Sequence, residues 1–241
     1  MLYHAAEIDA ARCLAVLIPG AFSRISIFER AEAWRGRGYA LVYYRLPGLD
    51  GRPLSPPLDL EAAAGEIVAL ARRYPDKPLR FLGYSTGGPI ALIAAAQVSG
   101  DVKVALMSTA VERGGGLATA VRTVADLAVA VRDTRSVRLA TVWFSYYRVL
   151  LFGRAVRHDA SLADRAKAII EARRNRIVLP TAGLRRAHTR ALRRWRKPAG
   201  LRFPSDQVHL FWGREDCVFH QNQIQRFARQ IGGAGVTAYP G

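Results

Sequence analysis

Six short apolar runs, separated by helical patterns, constrain this chain more than any other feature. "CLAVLIPG" (13–20) and "YALVYYRLPG" (39–48) both stop on Pro-Gly. "LRFLGYS" (79–85), "VKVALMS" (102–108), "QVHLFWG" (207–213) and "VTAYP" (236–240) follow. The first of these, continuously apolar and stopped by turn residues, predicts a strand buried on both faces, and the others also read as strands. Between them, residues 24–35, 58–73, 88–98 and 221–231 carry helical periodicity. The second of these is the best defined. Leu60, Ala63, Ala64, Ile67, Leu70 and Ala71 make one stripe, Glu61 sits in the first turn, and Pro75 and Pro78 close it. Strand–helix alternation predicts an α/β fold with a mostly parallel sheet, right-handed crossovers and flanking helices. In such sheets the chemistry gathers at the carboxyl ends of the strands.

Three of those ends carry chemically useful groups: "IPGAF" after the first strand, "GYSTGG" after the third and "WGRED" after the fifth. The middle one is the most informative. Gly83-Tyr84-Ser85-Thr86-Gly87 ends a strand and opens a helix. A serine on so sharp a turn takes a strained backbone conformation, so the neighbours two places away must lack bulk. The helix that follows aims its free amides and positive dipole end at the hydroxyl. Gly88 allows that helix to approach the sheet closely. An ordinary glycine-rich turn would share the composition but not the placement.

On these residues the chain resembles the α/β-hydrolase-fold serine hydrolases, of the esterase or lipase kind that carry an inserted cap. The resemblance covers about residues 13–110 and 205–241. It implies Ser85 as nucleophile and the backbone N–H groups of Thr86 and Ala21 as the oxyanion hole, each donor contributing about 3–4 kcal/mol to the transition state. Pro19 stands where the family usually has histidine, but the role belongs to the Ala21 backbone. Gly213-Arg214-Glu215-Asp216 matches the Gly-x-x-Asp that supplies the triad acid, which implies Asp216, with Glu215 its neighbouring competitor. The family's histidine follows the last strand by a few residues; here "AYPG" ends the sequence at Gly241. The expectation is a sequence stopping just before that histidine, or a protein without the base. His220, four residues after Asp216, is the nearest substitute, and His4, His158, His188 and His209 read as polar or packing residues. The family usually has two strands before the one at 13–20, and "LYHAA" could be the remnant of one. The implied reaction is hydrolysis of a carboxylic ester or related acyl bond. Acyl transfer, lactone opening or amide cleavage could use the same elbow, and a non-catalytic binding protein could use the same fold. No metal or organic cofactor is implied.

Residues 111–204 separate two strands that should be neighbours, and are expected to form a helical cap over the strand ends, leaving 1–110 and 205–241 as the core. "RGGG" (113–116) reads as its flexible entry, and 119–131 and 137–152 as helices. Trp143, Phe144, Tyr146, Tyr147 and Phe152 could line an acyl pocket or form the cap's own core. Charge is concentrated here. Residues 111–200 hold 18 Arg and 2 Lys against 6 acidic residues, +14 of a formal +17. Arg185, Arg186, Arg193, Arg194 and Arg196, with Trp195 among them, have the composition of an anion-binding or membrane-surface helix, or of a solvated face. No nucleic-acid motif accompanies them. The expected partner is a small acyl substrate, anionic if the basic helix binds it, with peripheral membrane contact a further option.

Cys13 and Cys217 lie far apart in apolar runs without metal spacing and read as buried thiols. With no basic-then-apolar start resembling a secretory signal, this suits a cytoplasmic location. "VRLATVWFSYYRVLLF" (137–152) is the most apolar window, interrupted by Arg138 and Arg148.

Overall fold

The computed structural model describes residues 1–110 and 117–240, so the entry segment 113–116 lies outside the described residues. Six strands form one parallel sheet: β1 (Cys13–Ile18), β2 (Tyr39–Tyr43), β3 (Leu79–Tyr84), β4 (Val102–Met107), β5 (Val208–Gly213) and β6 (Gly235–Tyr239), in the order β2-β1-β3-β4-β5-β6. Every expected strand is present. The reversal between β2-β1 and β3 creates the point at which loops from opposite directions can meet. Leu2 adds an isolated antiparallel bridge to Tyr43 at the sheet edge, and a short helix α1 (Ala5–Ala10) follows it.

One face of the sheet is fully covered. Helices α2 (Leu60–Ala71), α3 (Gly87–Ala95) and α8 (Gln221–Gln230) bury it, with Val16, Phe81, Leu106 and Leu210 packed against Ile67, Ile90 and Phe227. The α2 stripe read from the sequence is the buried one, and Asp59 caps the helix by accepting the Ala62 N–H at 2.9 Å. α3 is buried along its whole length, as its nearly all-apolar sequence requires. The other face is covered over β1 and β2 by the segment Ile25–Arg37, through Phe28 and Ala31 against Ala15, Leu17 and Leu41. This segment was expected to be an α-helix; it winds as 3-10 turns and is kinked at Phe28. Over β3–β5 that face stays partly open, with Met107 37 % exposed.

Between β4 and β5 lie four helices: α4 (Leu117–Thr134), α5 (Leu139–Phe152), α6 (Ala160–Ala172) and α7 (Ala182–Arg194). At α6, Asp159 accepts the Leu162 N–H at 3.0 Å and caps the start. These helices hold the rest at two places. On one side Arg122 of α4 donates to the Val218 carbonyl at 2.9 Å and the Gln223 side chain at 2.7 Å. Gly153, ending α5, packs so closely on Glu215 that an added Cβ would lie 2.6 Å from its carbonyl oxygen. Cys217 is buried among Val149, Val156 and Ala166, as expected of an unpaired thiol. On the other side α7 sits on the main core through Leu184 and Ala191, and the Leu58 N–H donates to the Ala187 carbonyl at 2.8 Å. Inside the group, Asp126 accepts from Arg154 at 3.0 and 2.9 Å and from Arg157 at 2.9 Å. No helix among the described residues is long and apolar enough to cross a membrane.

Candidate active site

Ser85 stands between β3 and α3 with φ of +49°, a left-handed conformation costly for a residue with a Cβ. Its N–H is held by the Met107 carbonyl of β4 at 2.9 Å, and its own carbonyl accepts the Gly88 N–H at 3.0 Å. A Cβ at Gly83 would lie 2.7 Å from the Gly87 carbonyl oxygen, and one at Gly87 would lie 2.1 Å from that of Ile18. The turn closes only with glycine at both positions.

The loop after β1 comes up against this turn. A Cβ at Gly20 would meet both the Ser85 Cβ and the Tyr84 ring at 2.9 Å, so Gly20 lets the Gly20-Ala21 backbone lie directly beside the serine. Ala21, Ser85 and Thr86 line one cleft. Among the described residues neither the Ala21 nor the Thr86 N–H donates a hydrogen bond within the protein. Two unsatisfied backbone donors beside a strained hydroxyl are equipped to receive a developing negative charge.

The next residue, Phe22, also has a left-handed backbone, with φ of +61°. Its N–H donates to Nδ1 of His188 at 3.1 Å, and Nε2 of His188 faces the Pro47 carbonyl at 2.7 Å. A ring that accepts at Nδ1 and donates at Nε2 is the neutral tautomer. His188 is fully buried and stacks on the Phe22 ring at 5.4 Å. Burial lowers its pKa, against the Pro47 bond, which raises it. The sequence reading gave His188 a bland polar role and did not foresee this joint between α7 and the loop beside the serine.

Asp216 follows β5. Its N–H donates to the Gly213 carbonyl at 3.0 Å, and its Oδ1 accepts the N–H groups of Val218 and Phe219 at 2.8 and 2.9 Å. Burial raises its pKa, while those two amides and the Ser108 hydroxyl lower it in part. Ser108, another partner the sequence reading missed, follows β4 with φ of +44°; that strand end therefore links the serine's strand to the acid's. Tyr84 is partly buried, and desolvation together with the nearby Asp216 charge pushes its phenol to about 12.

Among the described residues no histidine lines the cleft. His220 begins α8 as an exposed residue whose N–H donates to Gln223. His209 pairs with the Thr237 hydroxyl at 2.8 Å within the sheet. No cluster of three His, Cys, Asp or Glu side chains is placed to hold a metal ion among the described residues.

The cleft measures about 1500 Å³. Its floor is the Ser85 turn, and its walls come from α4, α5 and α7. The five aromatic residues that the sequence offered as pocket or packing divide. Trp143, Tyr146 and Tyr147 line the cleft. Phe144 lies under the Arg174 guanidinium and Phe152 under that of Arg165, both at 5.1 Å. Arg185, Arg186, Arg190 and Arg193 face the cleft from α7.

A parallel sheet with this strand order, a serine on a strained strand-to-helix turn and a carboxylate two strands away define the class. The chain belongs to the alpha/beta hydrolase family, whose model matches residues 15–241. Its fold is similar to that of a thermophilic esterase from Thermogutta terrifontis, with a TM-score of 0.68, 16 % identity, and coverage of 96 % of this chain and 82 % of that one. An esterase from Exiguobacterium antarcticum gives 0.64 at 17 % identity, covering 95 % and 84 %. A candidate non-heme bromoperoxidase from Mycobacterium tuberculosis gives 0.70 at 18 % identity, covering 95 % and 83 %. At these identities the likeness is one of fold. No curated protein sequence matches the chain.

Proposed function

We propose that this protein is a serine hydrolase of carboxylic esters or related acyl bonds, acting through an acyl-enzyme on Ser85. The observation that carries the reading is the strained Ser85 turn, with the free amides of Ala21 and Thr86 on the same cleft. In this reading the Ser85 hydroxyl attacks the carbonyl carbon while the two amides hold the oxyanion. The C–O bond then breaks, the alcohol leaves with the proton taken from Ser85, and water releases the acid. Asp216 orients the imidazole that carries the proton; the described residues supply Asp216 but no imidazole at the cleft. Helices α4–α7, the segment read as a cap over residues 111–204, enclose the acyl chain.

The test is labelling of the full-length protein with a fluorophosphonate, followed by mass mapping. Label on Ser85, abolished by Ser85→Ala, supports the hydrolase. A folded protein that takes up no label points to the second reading, a binding protein on the same fold. That alternative is favoured by one feature: the Asp216 carboxylate already accepts two turn amides and the Ser108 hydroxyl, as a structural turn residue would.

A further inference from the structure

The cleft is built from two unlike walls. Helices α4 and α5 present Val124, Leu127, Leu139, Trp143 and Leu150, of which Val124 is 66 % and Leu139 44 % exposed. Helix α7 presents the opposite character. Arg185, Arg186, Arg190 and Arg193 fall on one face by their spacing, while Leu184, Ala187, His188 and Ala191 on the other face are buried or packed on the core. Among the described residues none of these four guanidinium groups has an ion-pair or hydrogen-bond partner. Arg24 and Arg176 also line the cleft, but each already has an acidic partner, Asp50 at 3.6 Å and Glu29 at 2.6 Å. Among the described residues no Asp or Glu lines the cleft.

Like charges three and four residues apart on a helix destabilise it, so this arrangement costs stability unless an anion neutralises it. Because these arginines share one cleft with Ser85 and the apolar side chains of α4 and α5, the anion they would neutralise belongs on the substrate's polar end. Several guanidinium groups would saturate a single carboxylate; a phosphate offers three oxygens and two charges to share among them. The cleft also exceeds the ~300–1000 Å³ of ordinary small-molecule sites, enough for a chain and a headgroup together.

We infer that the cleft takes a single dissolved acyl ester whose polar end carries a phosphate group, with the phosphate on Arg185, Arg186 and Arg193 and the chain along Trp143, Leu127 and Leu150. The inference rests on the hydrolase reading for its chemistry, but the binding half is tested separately. Ser85→Ala protein is titrated by calorimetry with octyl phosphate and with octyl glucoside, both below their micelle concentrations. Octyl phosphate is expected to bind at least about tenfold more tightly, and added salt should narrow the gap. The triple variant Arg185→Gln, Arg186→Gln, Arg193→Gln should lose the preference, whereas Arg229→Gln on α8 should keep it. All three replaced side chains are exposed, so the triple variant should fold. Equal affinity for the two amphiphiles, or a preference that survives the triple change, overturns the inference. So does association with phosphatidylglycerol vesicles without a preference for dissolved octyl phosphate, which would assign the arginines to a bilayer surface. The active protein is then compared on octanoyl-glycerol 3-phosphate and octanoyl-glycerol. A higher kcat/KM for the phosphate ester supports the inference in full. Turnover of both esters at equal kcat/KM leaves the hydrolase and removes the phosphate site. Turnover of neither, with the octyl phosphate preference intact, removes the hydrolase and leaves the site.

Discussion

At the scale of single residues, the site is made by what is missing as much as by what is present. Gly87 has no room for a methyl group, because the Ile18 carbonyl oxygen would lie 2.1 Å from it. Gly87→Ala should therefore destabilise the protein by about 3 kcal/mol or more, read as a drop in urea midpoint. Asp216 makes the opposite case. Burial raises its pKa, so its ionisation is disfavoured in the folded state. The stability linked to its neutral form is complete below the unfolded carboxyl value and is lost as pH rises through the folded one. At neutral pH the charged carboxylate is a burden, one that Asp216→Asn removes while keeping an oxygen for Val218 and Phe219. The variant should be more stable than the parent near pH 7 and should lose fluorophosphonate labelling. A less stable variant would show that the carboxylate is there for the turn alone. Ser85 was legible as a candidate because a short-range pattern marks it, and the family resemblance carried by that pattern implied Thr86, Ala21 and Asp216. Ser108 and His188 were not, since nothing local in "VALMST" or "RRAHTR" says which distant group each will meet.

At the scale of elements, two joints fasten the helices α4–α7 to the rest of the chain. His188 ties α7 to the loop beside Ser85, and it does so only as a neutral ring, since protonated Nδ1 cannot accept the Phe22 N–H. Its pKa is lowered from the usual 6.5. The stability it contributes is present above that unfolded value and declines as pH falls through the folded one. His188→Phe should cost about 1–3 kcal/mol near pH 7.5, and the gap to the parent should shrink near pH 5. A gap of constant size in urea unfolding at both pH values would rule this out. Within the helices, burial raises the Asp126 pKa, but hydrogen bonds from Arg154 and Arg157 outweigh it and hold the carboxyl below its usual range. Asp126→Asn should lower stability by about 2 kcal/mol in calorimetry, the arginines being only partly buried. Helices α2 and α3 were readable from apolar stripe and content. The 3-10 winding of Ile25–Arg37 and its kink at Phe28 were not, because the apolar residues of this segment are compatible with either winding.

The whole molecule carries a formal +17, most of it in the segment between β4 and β5. Repulsion among those charges opposes compaction, and salt screens it over ~10 Å at 0.1 M. Raising salt from about 0.02 to 0.3 M should raise the thermal midpoint, and octyl phosphate should do so at lower ionic strength; a midpoint that falls with salt would mean the arginines are better neutralised than the structure indicates. The sequence by itself determined the sheet, its parallel sense and the serine turn, because apolar runs, glycine punctuation and helix stripes act over a few residues and need no distant partner. Only the tertiary structure decided that the Ala21 and Thr86 amides stay open beside Ser85. It also decided that Ser108 meets Asp216, that His188 locks Phe22, and that four arginines share a cleft with the apolar side chains of α4 and α5. Those are relations between segments up to 166 residues apart, fixed by chain crossing and close packing, which no local pattern encodes.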